Sequence, residues 1–162
     1  MPAQVSRKGC PNSAMNKVLI IGFGNPLRSD DGFGWHAGRL AARQLDGQGA
    51  EVITCHQLTP ELAERLSQCD RAVFMDADME GEPGDVHYCD LQPHSPATSA
   101  FTHSCSPAGL LATAAVLYGH CPQAVMITVS AQSFDFGESL SPAVAAALPK
   151  VLRRVLDYIQ LT

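Results

Sequence analysis

Hydrophobic residues along this chain occur in short continuous runs, and stretches of helical spacing separate one run from the next. Such runs predict strands that are buried on both faces, because a strand covered by helices on both sides has no solvent-facing side. The expected strands cover residues 17–21, 51–55, 71–76, 85–91 and 124–129. The fourth run alternates only weakly between apolar and polar residues, which predicts a strand at the edge of the sheet.

Helix signals stand between these runs. Apolar residues at helical spacing predict a first helix over residues 31–45, with Asp30 placed to cap its start. Thr59 and Pro60 open a second helix that is expected to reach about Cys69. A third helix is expected over residues 107–118, and a fourth begins at residues 141–142.

The alternation of strands and helices predicts an α/β fold. We expect a single-domain α/β/α sandwich whose mostly parallel, twisted sheet has about five strands. A chain of 162 residues suits one such domain. Residues 1–16 show no hydrophobic periodicity, so we expect a flexible N-terminal extension there and the domain over residues 17–162.

Composition narrows the class of protein. The net charge is −5 and no run of Lys or Arg occurs, which argues against nucleic acid as a partner. The chain has neither a secretory signal nor an apolar stretch long enough to span a membrane, so we expect a cytoplasmic protein. Its six cysteines form no Cys-x-x-Cys pair and are expected to be buried hydrophobes or free thiols.

Three residues with metal-binding or acid/base chemistry are expected at one rim of the sheet. In open α/β sheets, ligands bind outside the carboxyl ends of the strands. Asp31 follows the first strand, Asp76 ends the third, and His103 precedes the third helix. Two carboxylates and an imidazole suit a divalent ion such as zinc or nickel. The alternatives are an exposed Asp31 and an Asp76 that only orders the next loop.

The glycine-rich segment from Gly22 to Gly34 does not fit a nucleotide-binding loop. Leu27 stands where a dinucleotide fingerprint has its third glycine, and no Gly-Lys-Ser/Thr ending follows. The glycines therefore predict either a sharp structural turn or close approach of the backbone to a peptide. Cys105, two residues after His103, leaves open a thiol hydrolase as a second interpretation.

The segment GFGNPLRSDDGFG from Gly22 to Gly34 resembles the opening signature of the hydrogenase maturation endopeptidases. The resemblance continues through the strand that ends in Asp76 and through His103. It implies a peptidase that removes the C-terminal extension of a [NiFe]-hydrogenase large-subunit precursor after nickel insertion. The precursor would be the partner and would supply the nickel, for which zinc or cadmium could substitute in vitro.

The resemblance also implies roles for particular residues. Asp31, Asp76 and His103 match the family's metal-contacting residues and are the expected catalytic and metal-binding set. Gly24, Asn25 and Asp30 are expected to contact the substrate. Some relatives have glutamate in place of Asp31, and many continue with Gln-Leu-Gly after the histidine.

This chain has Ser104-Cys105-Ser106-Pro107 after the histidine. Together with residues 56–62, this segment resembles the branch of the family that serves NAD-linked or bidirectional hydrogenases. Besides the peptidase, a Cys105/His103 thiol hydrolase and a non-catalytic module that binds a nucleotide or a metallated partner remain as alternatives.

Overall fold

The computed structural model describes residues 17–94 and 105–160, and they form a five-stranded sheet covered by helices on both faces. The strands are β1 (Val18–Phe23), β2 (Ala50–Cys55), β3 (Arg71–Asp78), β4 (Val86–Leu91) and β5 (Gln123–Ser130). The helices are α1 (Phe33–Gln44), α2 (Leu62–Leu66), α3 (Pro107–Tyr118) and α4 (Pro142–Gln160). The predicted α/β/α fold class is confirmed.

The strand order in the sheet is β2-β1-β3-β5-β4. β1 pairs in parallel with β2 and β3, and β3 pairs in parallel with β5. β4 runs antiparallel to β5 at the edge, where the sequence pattern placed it. The central strands β1 and β3 are apolar and almost fully buried because helices cover both of their faces.

Each face of the sheet carries its own hydrophobic core. α1 and α4 cover one face, where Phe33 and Val151 pack against Val73. α2 and α3 cover the other face, where Leu66 and Leu111 pack against Phe74. Successive residues of β3 therefore point to opposite cores, as the period of two in a strand requires.

The start of α1 differs from the prediction. A short 3-10 helix, Ser29–Gly32, comes first, and α1 begins only at Phe33 with Gly32 at its N-cap. Asp30 does not cap the helix, because its carboxylate is bonded to a distant loop instead. The prediction of Asp30 as the capping residue was wrong.

The other helices begin close to the predicted positions. α3 has the predicted bounds, and the Ser106 hydroxyl accepts a hydrogen bond from the backbone N–H of Gly109 at 3.0 Å. α2 is shorter than predicted, since the turns before and after it use hydrogen bonds between residues three apart, such as Leu62 N–H to the Thr59 carbonyl. Within the described ranges, no helix is long and apolar enough to cross a membrane.

Candidate functional site

The candidate site lies at the carboxyl ends of β1 and β3. The chain leaves β1 toward α1 on one face of the sheet, whereas α3, which follows β3 and β4, lies on the other face. Neighbouring parallel strands whose connections leave to opposite faces open a crevice between them. Asp31 follows β1 and Asp76 lies near the end of β3, so the fold brings both predicted carboxylates to this crevice.

Asp76 is held partly inside the protein on the α3 side of β3. It pairs with Thr128 of β5 and shares its face of the strand with the buried Phe74. Burial raises the pKa of Asp76 to about 7; a hydrogen bond with the Ala77 backbone opposes the shift, and the charges of Asp31 and Asp78 add to it. The metal-free carboxyl therefore exchanges its proton near neutral pH.

Asp31 belongs to the 3-10 helix that follows β1. Its Oδ2 accepts a hydrogen bond of 3.2 Å from the backbone N–H of Asn25. Asn25 in turn orders the loop, since its Oδ1 accepts from the backbone N–H of Leu27 at 3.0 Å. Asp31 is half-buried, so its carboxylate is fixed by the loop and still reachable from the crevice.

Gly24 allows the two carboxylates to approach each other. Its φ is +136°, a conformation that favours glycine, and its N–H donates to the Cys55 carbonyl of the neighbouring strand at 3.1 Å. A Cβ atom at this position would collide with the backbone carbonyl of Asp31 and lie 3.8 Å from Oδ1 of Asp76. The glycine thus leaves space between the two acidic residues that a side chain would fill.

Asp30 is fully buried, with an exposed fraction of 0%. Its Oδ2 accepts from the backbone N–H of Gln132 at 2.9 Å and of Ser133 at 3.2 Å, and from the Ser141 hydroxyl at 2.9 Å. Its Oδ1 accepts from the backbone N–H of Ser141 at 2.7 Å. These bonds engage both carboxylate oxygens, so Asp30 positions the loop that carries Asp31.

The segment between β5 and α4 is part of the site, although the sequence did not indicate it. Ser29 donates from its backbone N–H to the Gly137 carbonyl at 2.7 Å and from its hydroxyl to the Asp135 carbonyl at 2.9 Å. Gly137 N–H donates to the Leu27 carbonyl at 3.0 Å. Phe136, which this pairing holds next to Leu27, is 95% exposed.

The sequence pattern does not predict this pairing between the loop after β1 and the segment between β5 and α4. Its hydrogen bonds are mostly to backbone atoms of residues about a hundred positions apart. The polar side chains that take part are those of Asp30 and Ser141, together with Ser29 and Arg28, which donate to the Asp135 and Phe134 carbonyls. None of them stands out in the sequence, since Asp and Ser are also common at helix starts and Arg is common on protein surfaces.

The third expected metal ligand, His103, lies outside the described residues. In the described ranges, no group of three or more His, Cys, Asp or Glu side chains is arranged to hold a metal.

Cys105 shows the features of a packed side chain. It comes directly before the cap residue Ser106 and packs against the core between α2 and α3, to which Leu110 also belongs. An apolar residue before the cap that packs on the first turn of the helix is a common stabilising arrangement. This environment favours the interpretation of Cys105 as a small, partly buried hydrophobe.

Solved structures that are similar to this one include several hydrogenase maturation proteases. HycI from Thermococcus kodakarensis is similar with a TM-score of 0.72 and 18% identity, over 91% of this chain and 95% of that chain. HybD from E. coli has a TM-score of 0.69 and 21% identity, over 89% and 92% of the two chains. This chain shares the fold of the [NiFe]-hydrogenase maturation proteases.

A hydrogenase 2 maturation peptidase from a Thaumarchaeota archaeon is similar as well, with a TM-score of 0.68 and 24% identity over 90% of this chain and 99% of that one. No family model matches the sequence, and no curated protein matches it either. At these identities the likeness establishes the fold. The roles of the individual residues depend on the geometry of the crevice.

Proposed function

We propose that this protein is an endopeptidase that removes the C-terminal extension of a [NiFe]-hydrogenase large-subunit precursor after nickel has been inserted. The observation that carries the proposal is the position of Asp31 and Asp76 at the crevice between β1 and β3, in a fold shared with maturation proteases. A C-terminal tail that crosses this crevice would pass both carboxylates. We place the reaction in the cytoplasm, where the precursor would be assembled.

Nickel enters this reaction as part of the substrate. The donor atoms fit such an ion. Asp31 has one carboxylate oxygen without a hydrogen bond among the described residues. Burial disfavours the charged form of Asp76, and a nearby cation would compensate for that cost. We propose that Asp31, Asp76 and His103 contact the nickel that the precursor already holds. A divalent ion bound there would polarise a carbonyl oxygen or a water molecule.

The chain's own groups would move the proton. Before the precursor binds, Asp76 has a pKa of about 7 and is present in both protonation states near neutral pH. Contact with the nickel would lower this pKa and favour the carboxylate, which is the form that can act as a general base. As a base, it would accept a proton from the attacking water; as an acid, it would return that proton to the leaving amine of the peptide. Asp31, whose carboxylate is held by the Asn25 N–H, would border the same space.

The loop around Gly24 and Asn25 is the proposed substrate-binding edge. Its backbone passes directly beside both carboxylates, so an extended peptide could lie along it without a side chain in the way. Leu27 and Phe136, which are 52% and 95% exposed, provide an apolar surface next to this loop. An extended precursor tail would bury them when it binds.

Two alternatives make different demands. A thiol hydrolase would need Cys105 as its nucleophile, and the packing of that side chain against the α2/α3 core disfavours it. A non-catalytic module would use the Gly22–Gly34 loop for binding only. That loop's glycines are accounted for within the fold, since a Cβ at Gly34 would collide with the backbone carbonyls of Met75 and Phe23.

The deciding experiment measures the mass of a nickel-loaded large-subunit precursor before and after incubation with this protein, beside a nickel-free precursor. Loss of a C-terminal peptide from the loaded form alone supports both the peptidase and nickel recognition. Equal cleavage of both forms keeps the peptidase and removes nickel recognition. Binding without cleavage supports the non-catalytic module.

A further inference from the structure

A cavity of about 260 Å³ lies between α1 and the start of α4, outside the crevice described above. Its floor is apolar, and its rim carries aromatic and cationic side chains. The lining residues are Trp35, His36, Arg39, Leu40, Arg43, Leu140 and Leu148. A concave, apolar surface with a few polar groups at its rim is the usual form of a binding site.

The cavity has two cationic side chains at its rim, Arg39 and Arg43. Arg39 and Arg43 are exposed and lie four residues apart on α1, so they face the same side of the helix. Among the residues that the structure describes, neither guanidinium has a carboxylate within ion-pair distance. Since the whole chain has a net charge of −5, this pair is a local positive site on an otherwise acidic protein.

The aromatic residues at the cavity hold its polar groups in place. The Arg39 guanidinium carbon lies 4.8 Å from the centroid of the Trp35 ring, a distance at which the cation and the ring attract each other. Trp35 also meets the His36 ring edge-on, with the centroids 5.2 Å apart. Nε2 of His36 is buried without a hydrogen-bond partner in the described part of the chain, which is costly unless a ligand supplies one.

The cavity is connected to the candidate active site through the fold. Trp35 lies four residues after Asp31, and Leu140 directly precedes Ser141, which is bonded to Asp30. The cavity extends from there along α1 to Arg43, which is about 12 Å further along the helix axis. A polypeptide that leaves the crevice on the α1 side would reach it within a few residues.

We propose that this cavity binds an acidic segment of the precursor, with a carboxylate between Arg39 and Arg43 and a neighbouring apolar side chain against Leu40, Leu140 and Leu148. The inference rests on the proposed function, because it takes the precursor as the partner. It assigns to α1 a docking role at a distance from the bond that is cut. Guanidinium groups form paired hydrogen bonds with carboxylates. Such bonds would orient the bound carboxylate in addition to attracting its charge.

The test compares two double variants with the same change in net charge. Arg39→Glu/Arg43→Glu reverses the charge at the cavity, and Arg153→Glu/Arg154→Glu reverses two exposed cations elsewhere, on α4. The dissociation constant of the nickel-loaded precursor and the KM and kcat of its cleavage are measured for each protein. We expect the first variant to raise the dissociation constant and KM roughly tenfold with little change in kcat, and the second to change them less than twofold.

Equal weakening in both double variants, or no weakening in the first, would overturn the docking role. A precursor that binds in an Arg39- and Arg43-dependent way but is not cut would support this inference and reject the peptidase. If the Arg39→Glu/Arg43→Glu variant cuts the precursor with an unchanged KM, the peptidase is supported and the docking role is rejected. If the precursor neither binds to the native protein nor is cut by it, both proposals fail.

Discussion

The carboxylate of Asp30 accepts two hydrogen bonds from Ser141, one from its backbone N–H at 2.7 Å and one from its hydroxyl at 2.9 Å. These bonds join the 3-10 helix after β1 to the residue that precedes α4, more than a hundred positions along the chain. The adjacent Asp31 inherits its position from this connection. The two neighbouring aspartates therefore have different roles: Asp30 holds the loop from inside the protein, and Asp31 lies at the crevice.

Replacing Asp30 is therefore expected to cost stability as well as activity. Asp30→Ala leaves the backbone N–H groups of Gln132, Ser133 and Ser141 without their acceptor, and we expect a loss of about 3 to 5 kcal/mol in the free energy of unfolding. Ser141→Ala removes only the hydroxyl and is expected to cost about 1 kcal/mol. Urea denaturation of both variants measures the difference, and equal losses would contradict the central role of Asp30.

Asp76 is expected to make the stability of the metal-free protein depend on pH. Its pKa is raised from 3.8 to about 7 in the folded state, so folding favours the protonated form. Its favourable contribution is therefore complete below about pH 4 and is lost as the pH rises through 7. We expect Asp76→Asn to be more stable than the native protein at pH 8, by up to about 4 kcal/mol, and to match it near pH 4.

The measurement for this prediction is denaturant unfolding of the native protein and the Asp76→Asn variant at both pH values, without added metal. Asp46→Asn, at an exposed position after α1, is the matched control and should follow the native protein at each pH. If the free energy of unfolding of Asp76→Asn, relative to the native protein, does not increase between pH 4 and pH 8, burial does not disfavour the charged form of Asp76.

Activity should depend on the acidic pair and on His103, and not on Cys105. We expect Asp31→Ala, Asp76→Ala and His103→Ala each to lower the rate of precursor cleavage at least a hundredfold, since each removes a proposed metal contact or proton carrier. Cys105→Ser should retain most of the activity, and we expect alkylation of Cys105 in the native protein not to abolish cleavage. Full activity in any of the first three variants would reject the proposed set, and loss in Cys105→Ser would favour the thiol hydrolase.

The sequence predicted the strand and helix order well because burial on two faces leaves a strong pattern. The run at β1 and the helical spacing of α4 are signals of this kind, and both elements lie where they were expected. The position of Asp31 and Asp76 at one edge also followed from the order of elements, since parallel strands bring their carboxyl ends together. The likeness to maturation proteases in fold agrees with the signature recognised at Gly22–Gly34.

The role of Asp30 could not be obtained in the same way. A carboxylate before a helix is usually a cap, and local sequence contains no sign that a loop from the other half of the chain will occupy its oxygens. The start of α1 was misplaced for the same reason, because the bonds of Asp30 hold residues 29–32 in a tighter 3-10 turn. Long-range polar contacts decide details that hydrophobic patterning does not reach.

Gly24 should tolerate no side chain. Gly24→Ala combines a positive φ with a collision between the new Cβ and the Asp31 carbonyl, and we expect it to cost about 2 to 4 kcal/mol and to displace Asp31. Gly47→Ala is the matched control, since that glycine also has a positive φ, of +76°, but nothing within 4 Å of the added Cβ. It should cost about 1 kcal/mol and leave cleavage unchanged. Similar losses in the two variants would mean that the close approach at Gly24 is unimportant.

Phe136 provides a test of the proposed substrate-binding edge, because it is 95% exposed beside the loop that carries Asp31 and holds no part of the core together. Phe136→Ser should leave the free energy of unfolding within about 0.5 kcal/mol of the native value. It should raise KM for the precursor roughly thirtyfold, since an apolar contact of about 2 kcal/mol would be lost on binding. The unfolding midpoint and cleavage kinetics of the variant measure the two effects.

Val116→Ser is the control for this prediction, since Val116 is an equally apolar residue that is 81% exposed, on α3. It lies in the third turn of that helix, away from the loops that Phe136 and Leu27 belong to, and should leave KM unchanged. If both variants alter KM alike, the effect reflects general surface hydrophobicity. A change confined to Phe136→Ser places the precursor tail along the edge formed by Leu27 and Phe136, whereas an unchanged KM in that variant would move the tail to another side of the crevice.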